Sequence, residues 1–348
     1  MHRMIMFAAA GSVLLLAGCS RAPDRTAVVV YSPHGRELLA EFEQRFEAAH
    51  PTADVQWLDM GSQDIYDRLV TERTNPQADV WWGAPMTEFD RAAAAGLLEP
   101  YVPSWDTAAP AGEKSRDHYW YGTFLTPEVI MYNNRMVTEE DAPKDWDDLL
   151  APQWQGRILI RYPLSSGTMR IIFCAIIQRE ALAKGDSMAG FRWLKRLDAN
   201  TKSYVADPTQ LYLRVAREEA PLSMWDMPDV QLQAEKSYQP FGYVVPSSGT
   251  PIITEGIAIV KGCPHPDLAR AFYEFVTSKA SMIDEANQFF RIPVRTDIAR
   301  TSLPQWMAAR DWKAMKVDWR SLAAHEATWM QYWDEHIKGT GRAAGGER

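Results

Sequence analysis

The chain has 348 residues, 46% hydrophobic and 24% charged, which is ordinary globular composition. Its 45 acidic and 37 basic side chains give a formal net charge of −8. That balance argues against nucleic acid or an anionic membrane surface as the main partner, but local loops can still favour a small anionic ligand.

The N-terminus reads MHRMIMFAAAGSVLLLAGCS. His2 and Arg3 precede an apolar stretch ending near Ala17. The stretch is too short for a mature transmembrane helix and has the layout of a secretory signal, so residues 1–18 are set aside as a signal peptide. Residues 19–26 are short and polar and read as a tether. The roughly 330 residues that follow the signal are natural for two lobes.

Strand AVVVYS comes next, then a helix over 36–49 whose Leu38, Leu39, Phe42 and Phe46 keep helical spacing. His50-Pro51 ends it. A strand over 53–60, a helix over about 63–73, a strand over 78–82 and a helix over 87–95 follow. Such alternation through short loops predicts a mostly parallel sheet. Ligands then bind outside the carboxyl ends of the strands, beside helix N-termini. Three loops fit: Ser32–Gly35, Gly61–Gln63 and Gly83–Met86.

A strand over 128–133 opens a second αβ unit. It contains a short helix at 146–150, strand RILIRYP, the loop SSGT leading into a helix over 168–182, a helix over 191–197, and the strand APLSMWD. Near residue 250 the texture changes again. PIITEGIAIVKG reads as one long strand or a pair, LARAFYEFVTS as an amphipathic helix, and 304–338 as a Trp-rich helical tail. The expected fold is α/β with two lobes. Lobe 1 takes 27–127 plus about 258–300, and lobe 2 takes 134–250 plus about 301–345. Hinge strands at about 128–133 and 251–257 cross between them, and a ligand cleft lies between the lobes.

Several residue types in these loops can bind solute. Ser165-Ser166-Gly167-Thr168 follows a strand and begins a helix, so its free N–H groups and hydroxyls suit a phosphate, phosphonate or carboxylate. The same residues also read as an ordinary Ser/Thr N-cap. Arg161 and Arg170 flank this loop, either as bidentate anion contacts or as solvated charges. Ser32 and His34 sit in the first loop, with Gly35 and Pro33 shaping its backbone. Ser62 and Ala84 occupy the matching loops. Asp207 caps a helix or faces the same cleft. Trp225 offers stacking or cation–π contact and Asp226 a charge, with core packing as the competing role for the Trp. Together these would suit a zwitterion or a hydroxylated phosphate. No G-x-S-x-G elbow occurs, and seven scattered His show no paired metal spacing, so no enzyme and no cofactor is expected. Cys174 lies in the apolar run IIFCAII and reads as a buried free thiol; pairing with Cys263 stays open.

VVVYSPHGRELLAEFEQRFEAAHP, ADVWWGAP before GLLEPYVPS, RYPLSSGT, and PSSGTPIITEGIAIVKGCPHPDLARAFYEFVTS resemble extracellular solute-binding proteins of ABC importers. The nearest branch is the ferric-ion-binding group with its relatives for phosphorylated or phosphonate solutes, thiamine and polyamines. Leu16-Ala17-Gly18-Cys19 resembles the bacterial lipobox, which implies lipidation at Cys19. The resemblance implies a type II periplasmic-binding-protein fold, ABC permease subunits as partners, a small-molecule solute, and a monomer at the bacterial cell envelope facing the periplasm or the outer surface of a single-membrane cell. It carries anion contact to Ser166, Gly167 and Thr168, and cleft contact to Ser32 and His34. In the ferric branch the ligands are a His, a Glu and two adjacent Tyr. Here His34 stands near the first position, but the Glu position falls at about Ala84 and the Tyr pair at about Asp226-Met227. A metal held by His34 and Asp226, or a cation of the thiamine or polyamine type, is therefore the alternative, and a small, anionic solute is the main expectation.

Overall fold

The computed structural model describes residues 25–308 and 312–341. The signal segment, most of the tether and Cys19 lie outside the described residues.

The chain alternates as its periodicity dictates. β1 (Thr26–Ser32), β2 (Ala53–Asp59) and β3 (Val80–Pro85) form the first parallel group, linked by α1 (Arg36–Ala49) and α2 (Ser62–Glu72). α3 (Met86–Ala94) follows, then the two-residue β4 (Leu98–Glu99) and the long β5 (Tyr121–Asn133). The second group contains β6 (Ile158–Arg161), α4 (Gly167–Lys184), α5 (Ala189–Asn200), β7 (Thr201–Val205) and α6 (Pro208–Ala216). β8 (Leu222–Asp226), α7 (Met227–Glu235) and β9 (Phe241–Val244) complete it. The chain then forms β10 (Ile252–Val260), α8 (Pro266–Val276), α9 (Lys279–Phe289) and β11 (Ile292–Pro293). α10 (Gln305–Ala308) and α11 (Trp319–His336) end it.

Strand order is β2-β1-β3-β10-β5-β8-β6-β7. β5 is the bridge. Its first part, through Pro127, pairs with β10 and β11, and its second part, from Glu128, pairs with β8 and β9. β10 reads as one continuous strand, antiparallel to β3 and β5.

Side-chain alternation builds the layers on either side of this sheet. Neighbouring Trp81 and Trp82 on β3 are both fully buried but on opposite faces. Trp82 packs with Phe42 of α1 and Phe272 of α8, and Trp81 with Phe89 of α3. α4 is buried nearly all round its first three turns, because it lies beneath both α5 and α11. An apolar run such as IIFCAII is what that position requires. Cys174 in that run is a buried free thiol, and Cys263 is also free.

Candidate functional site

Helix N-termini converge where the two halves of the sheet meet. Ser166 caps α4 by accepting the Met169 amide at 3.3 Å. Asp207 caps α6 through Gln210 N–H at 2.8 Å, and Asp226 caps α7 through Asp229 N–H at 2.9 Å. Gly167 and Thr168 at the start of α4 and Thr209 at the start of α6 line one space with first-turn N–H groups that have no partner within their helix, whereas Pro208 and Pro228 carry no N–H. That space is a cavity of about 600 Å³. His34, Ser62, Ala84, Ser165, Ser166, Gly167, Thr168, Asp207, Trp225 and Asp226 all line it. Ser32 does not. It is fully buried behind the wall, and its hydroxyl accepts the His34 amide at 3.2 Å, the local turn role.

The two sides of the cavity touch at their rims. A Cβ on Gly61 would lie 2.7 Å from the Ser165 carbonyl oxygen, and one on Gly167 would lie 2.9 Å from the Pro85 ring. Glycine at these two positions lets the loops meet. Ala84 sits beside them with φ 135°, a backbone region that strains a residue carrying a Cβ.

Two charge environments occupy the cavity. Along one wall, Arg161 is only 5% exposed, yet among the described residues no carboxylate lies within 4.0 Å of it. Its Nη1 donates to Ser165 Oγ at 2.7 Å and to the Val205 carbonyl at 3.3 Å. Burial pulls its pKa below the usual guanidinium range, while Asp207 and Asp64 oppose that pull from further off. A buried cation with no carboxylate in ion-pair contact among the described residues stands next to the start of an 18-residue helix.

The opposite end is acidic. Arg291 Nη2 donates to Asp229 Oδ1 at 2.9 Å, and Nη1 lies 3.9 Å from Asp226. Arg291 is buried, and Asp229, Asp226, Glu255 and Glu285 together outweigh that burial and raise its pKa. Asp226 is pushed well up, first by burial and then by Asp229. Glu255 is also raised by burial, with its charged form eased by Arg291 and by the Ala84 N–H. Behind them Glu128 is fully buried, and neither of its oxygens has a hydrogen-bond partner among the described residues. Burial and the neighbouring Asp226, Glu255 and Asp229 raise its pKa far above the ordinary value, which keeps it a neutral acid.

His34 Nδ1 is 3.7 Å from Glu255, with its ring against Trp82 and Phe124. Burial, then Arg291, holds its pKa well below the usual imidazole value. Among the described residues no three His, Cys, Asp or Glu side chains gather as a metal site would need. Arg170, a sequence-level candidate, points away from the cavity and bonds Glu88. Glu255, Asp229 and Arg291 line the cavity but were not picked out from the sequence. Their signal was a charge set among apolar neighbours, as in IITEGIAIV and FFRIPV.

Residues 41–316 match the bacterial extracellular solute-binding protein family. The chain belongs to that family. The binding protein is 28% identical over 330 residues to the "Probable ABC transporter periplasmic-binding protein y4fP" of Sinorhizobium fredii, covering 94% of this chain and 90% of that one. It is 23% identical to iron uptake protein A1 of Synechocystis, covering 80% and 81%. The solved periplasmic binding protein AfuA of Actinobacillus pleuropneumoniae, with fructose-6-phosphate bound, superposes with a TM-score of 0.76 at 23% identity, covering 90% of this chain and 99% of that one. This protein is thus an exported, two-lobed substrate-binding component of an ABC transporter, working with permease subunits on a small solute.

Proposed function

We propose that this binding protein captures a small solute bearing a phosphate, phosphonate or carboxylate and delivers it to the permease by lobe closure. Arg161 carries the reading: a buried guanidinium without a carboxylate partner, facing the start of α4. The anion would take Arg161 together with the Gly167 and Thr168 N–H groups and the Ser165 and Thr168 hydroxyls. The other end of the same solute would meet Trp225, Asp226, Asp229 and Glu255. Carboxylates there suit hydroxyl or ammonium donors, which favours a hydroxylated phosphate or a zwitterion. The sugar phosphate bound by AfuA supports this reading by analogy. In the same reading Cys19 carries the lipid anchor and the protein acts as a monomer.

A thermal-shift panel of phosphate esters, phosphonates, thiamine, polyamines and ferric citrate tests it. A solute at about 100 times its dissociation constant adds roughly 2.7 kcal/mol. A shift with phosphorylated or phosphonate compounds, lost in Arg161→Met, is the expected outcome. A shift with ferric ion alone would overturn the anion reading in favour of a metal held near His34 and Asp226.

A further inference from the structure

Away from the cavity, four helices bury a second set of charges. Arg170 of α4 donates from Nη1 to Glu88 Oε1 of α3 at 2.6 Å, and the same nitrogen lies 3.8 Å from Glu326 Oε1 of α11. Its Nη2 donates to Gln63 Oε1 of α2 at 2.8 Å and to the Leu164 carbonyl at 3.0 Å. Arg91 of α3 reaches Glu88 Oε2 at 2.6 Å and Gln63 Oε1 at 3.0 Å. Its guanidinium lies over the Tyr66 ring at 3.6 Å. The side chains of Arg170, Glu88 and Glu326 are 6%, 1% and 4% exposed.

These helices belong to different cores. Ile65 of α2 and Phe89 and Ala92 of α3 pack in one core, while Ile171 and Phe173 of α4 and Met330 of α11 pack in another. A hinge motion that parts the cores must therefore part Arg170 from Glu88. Buried pairs of this kind contribute little net stability, but loss of one partner strands a charge without compensation. Leu164 immediately precedes Ser165-Ser166, so Arg170 also fixes the start of the anion loop.

We infer that Glu88, Arg91, Arg170 and Glu326 form a clasp between the lobes that sets how far the ligand-free protein closes and holds the 165–168 loop in position. The clasp rests on the closure mechanism and not on the solute, so a failed ligand panel would leave it standing.

The clasp also responds to pH. Burial first, and Glu88 second, push Glu326 up to about 7, against Arg170, Arg91 and the Thr87 hydroxyl. The groups facing it are Thr87, Glu88 and Arg91 from α3, and Arg170 and Cys174 from α4. Burial raises the Cys174 thiol well above its usual range, so it stays protonated. When the lobes part, Glu326 meets water and returns toward 4.5. The closed form then holds more protons. Closure strengthens as pH falls from about 7 toward 4.5, by up to about tenfold per pH unit, and is weakest above that window.

Small-angle X-ray scattering of the purified, ligand-free protein reads closure without any solute. The expected result is a smaller radius of gyration at pH 5 than at pH 8. Glu326→Gln should stay compact at both pH values, and Glu88→Gln should expand at both. Thermal melts check that each variant is folded; Glu326→Gln keeps the side-chain shape and carries the test if Glu88→Gln unfolds. A wild-type radius that is the same at pH 5 and pH 8 and equal to the radii of folded Glu326→Gln and Glu88→Gln would overturn the clasp.

Discussion

The two ends of the cavity treat charge in opposite ways. At the wall, Arg161 is buried without a carboxylate partner and stands beside free helix N–H groups. At the floor, Arg291 is enclosed by Asp226, Asp229, Glu255 and Glu285, whose charges it offsets. At the wall Asp207 and Asp64 act on Arg161 only from a distance, which leaves the contact position for a ligand's charge. The floor already contains its charges, with Glu128 kept neutral behind it. A charged residue in this cleft therefore offers a ligand its charge where no carboxylate is ion-paired with it, and offers hydrogen-bond acceptors where the protein has already supplied the counter-ion.

The largest expected effect comes from breaking the floor. Arg291→Leu leaves buried Asp226 and Glu255, and half-buried Asp229, without their cation. Urea unfolding at pH 8 should show a loss of about 3–5 kcal/mol, the usual penalty for removing one partner of a buried ion cluster. The loss should shrink on acidification, because the raised pKa values of Asp226 and Glu255 let them accept protons above the ordinary carboxylate range. A protein as stable as wild type at pH 8 would mean that the floor is not an ion network.

Arg161→Met sharpens the other side of the comparison. The fold should keep its stability, or gain slightly, since a buried cation without a carboxylate partner is removed. Affinity for whichever anionic panel member binds should fall about 10- to 150-fold, the equivalent of a charged hydrogen bond worth roughly 1.5–3 kcal/mol. Calorimetric titration reads it. Loss of stability without loss of affinity would reverse the roles assigned to Arg161 and Arg291.

The first of these residues could be read from the sequence and the second could not. Arg161 ends a strand four residues before Ser165, so local pattern placed it beside the loop. Arg291 reaches Asp229 across 62 residues, and Arg170 reaches Glu88 across 82. No periodicity within one element specifies such pairs. The alternation from β1 to α3 was legible because each element has its own hydrophobic period. The sequence pattern marks β5 only over 128–133; its first half, YGTFLTP, contains Gly122, Pro127 and two threonines that hide a strand. WDDLL has the pattern of a short helix and winds as a 3-10 turn, closed by a capping box between Asp145 and Asp148.

Gly167→Ala tests whether the rims must meet. The added methyl would lie 2.9 Å from the Pro85 ring and 3.3 Å from Ser62 Oγ. Position 167 is the first residue of α4, where alanine suits the helix, so unfolding curves should barely move. Closing the lobes over the methyl should cost roughly 1–3 kcal/mol, as overpacking does. Affinity should fall accordingly, and the ligand-bound scattering profile should stay open. An unchanged affinity would show that the ligand binds without rim contact.

The smallest effect separates capping from binding at Ser166. Its hydroxyl accepts the Met169 amide, so Ser166→Ala should lower unfolding stability by about 1 kcal/mol through the lost cap. If the anion is held mainly by Arg161 and the Gly167 and Thr168 N–H groups, affinity should change by less than about threefold, roughly 0.6 kcal/mol. Thr168→Ala should do the reverse, since the α4 cap is Ser166 and among the described residues the Thr168 side chain caps nothing, and weaken binding with little change in stability. Paired urea curves and titrations on the two variants decide it. A tenfold affinity loss in Ser166→Ala with an intact Tm would place the Ser166 hydroxyl on the ligand, and the cap would then be a contact that the bound anion displaces.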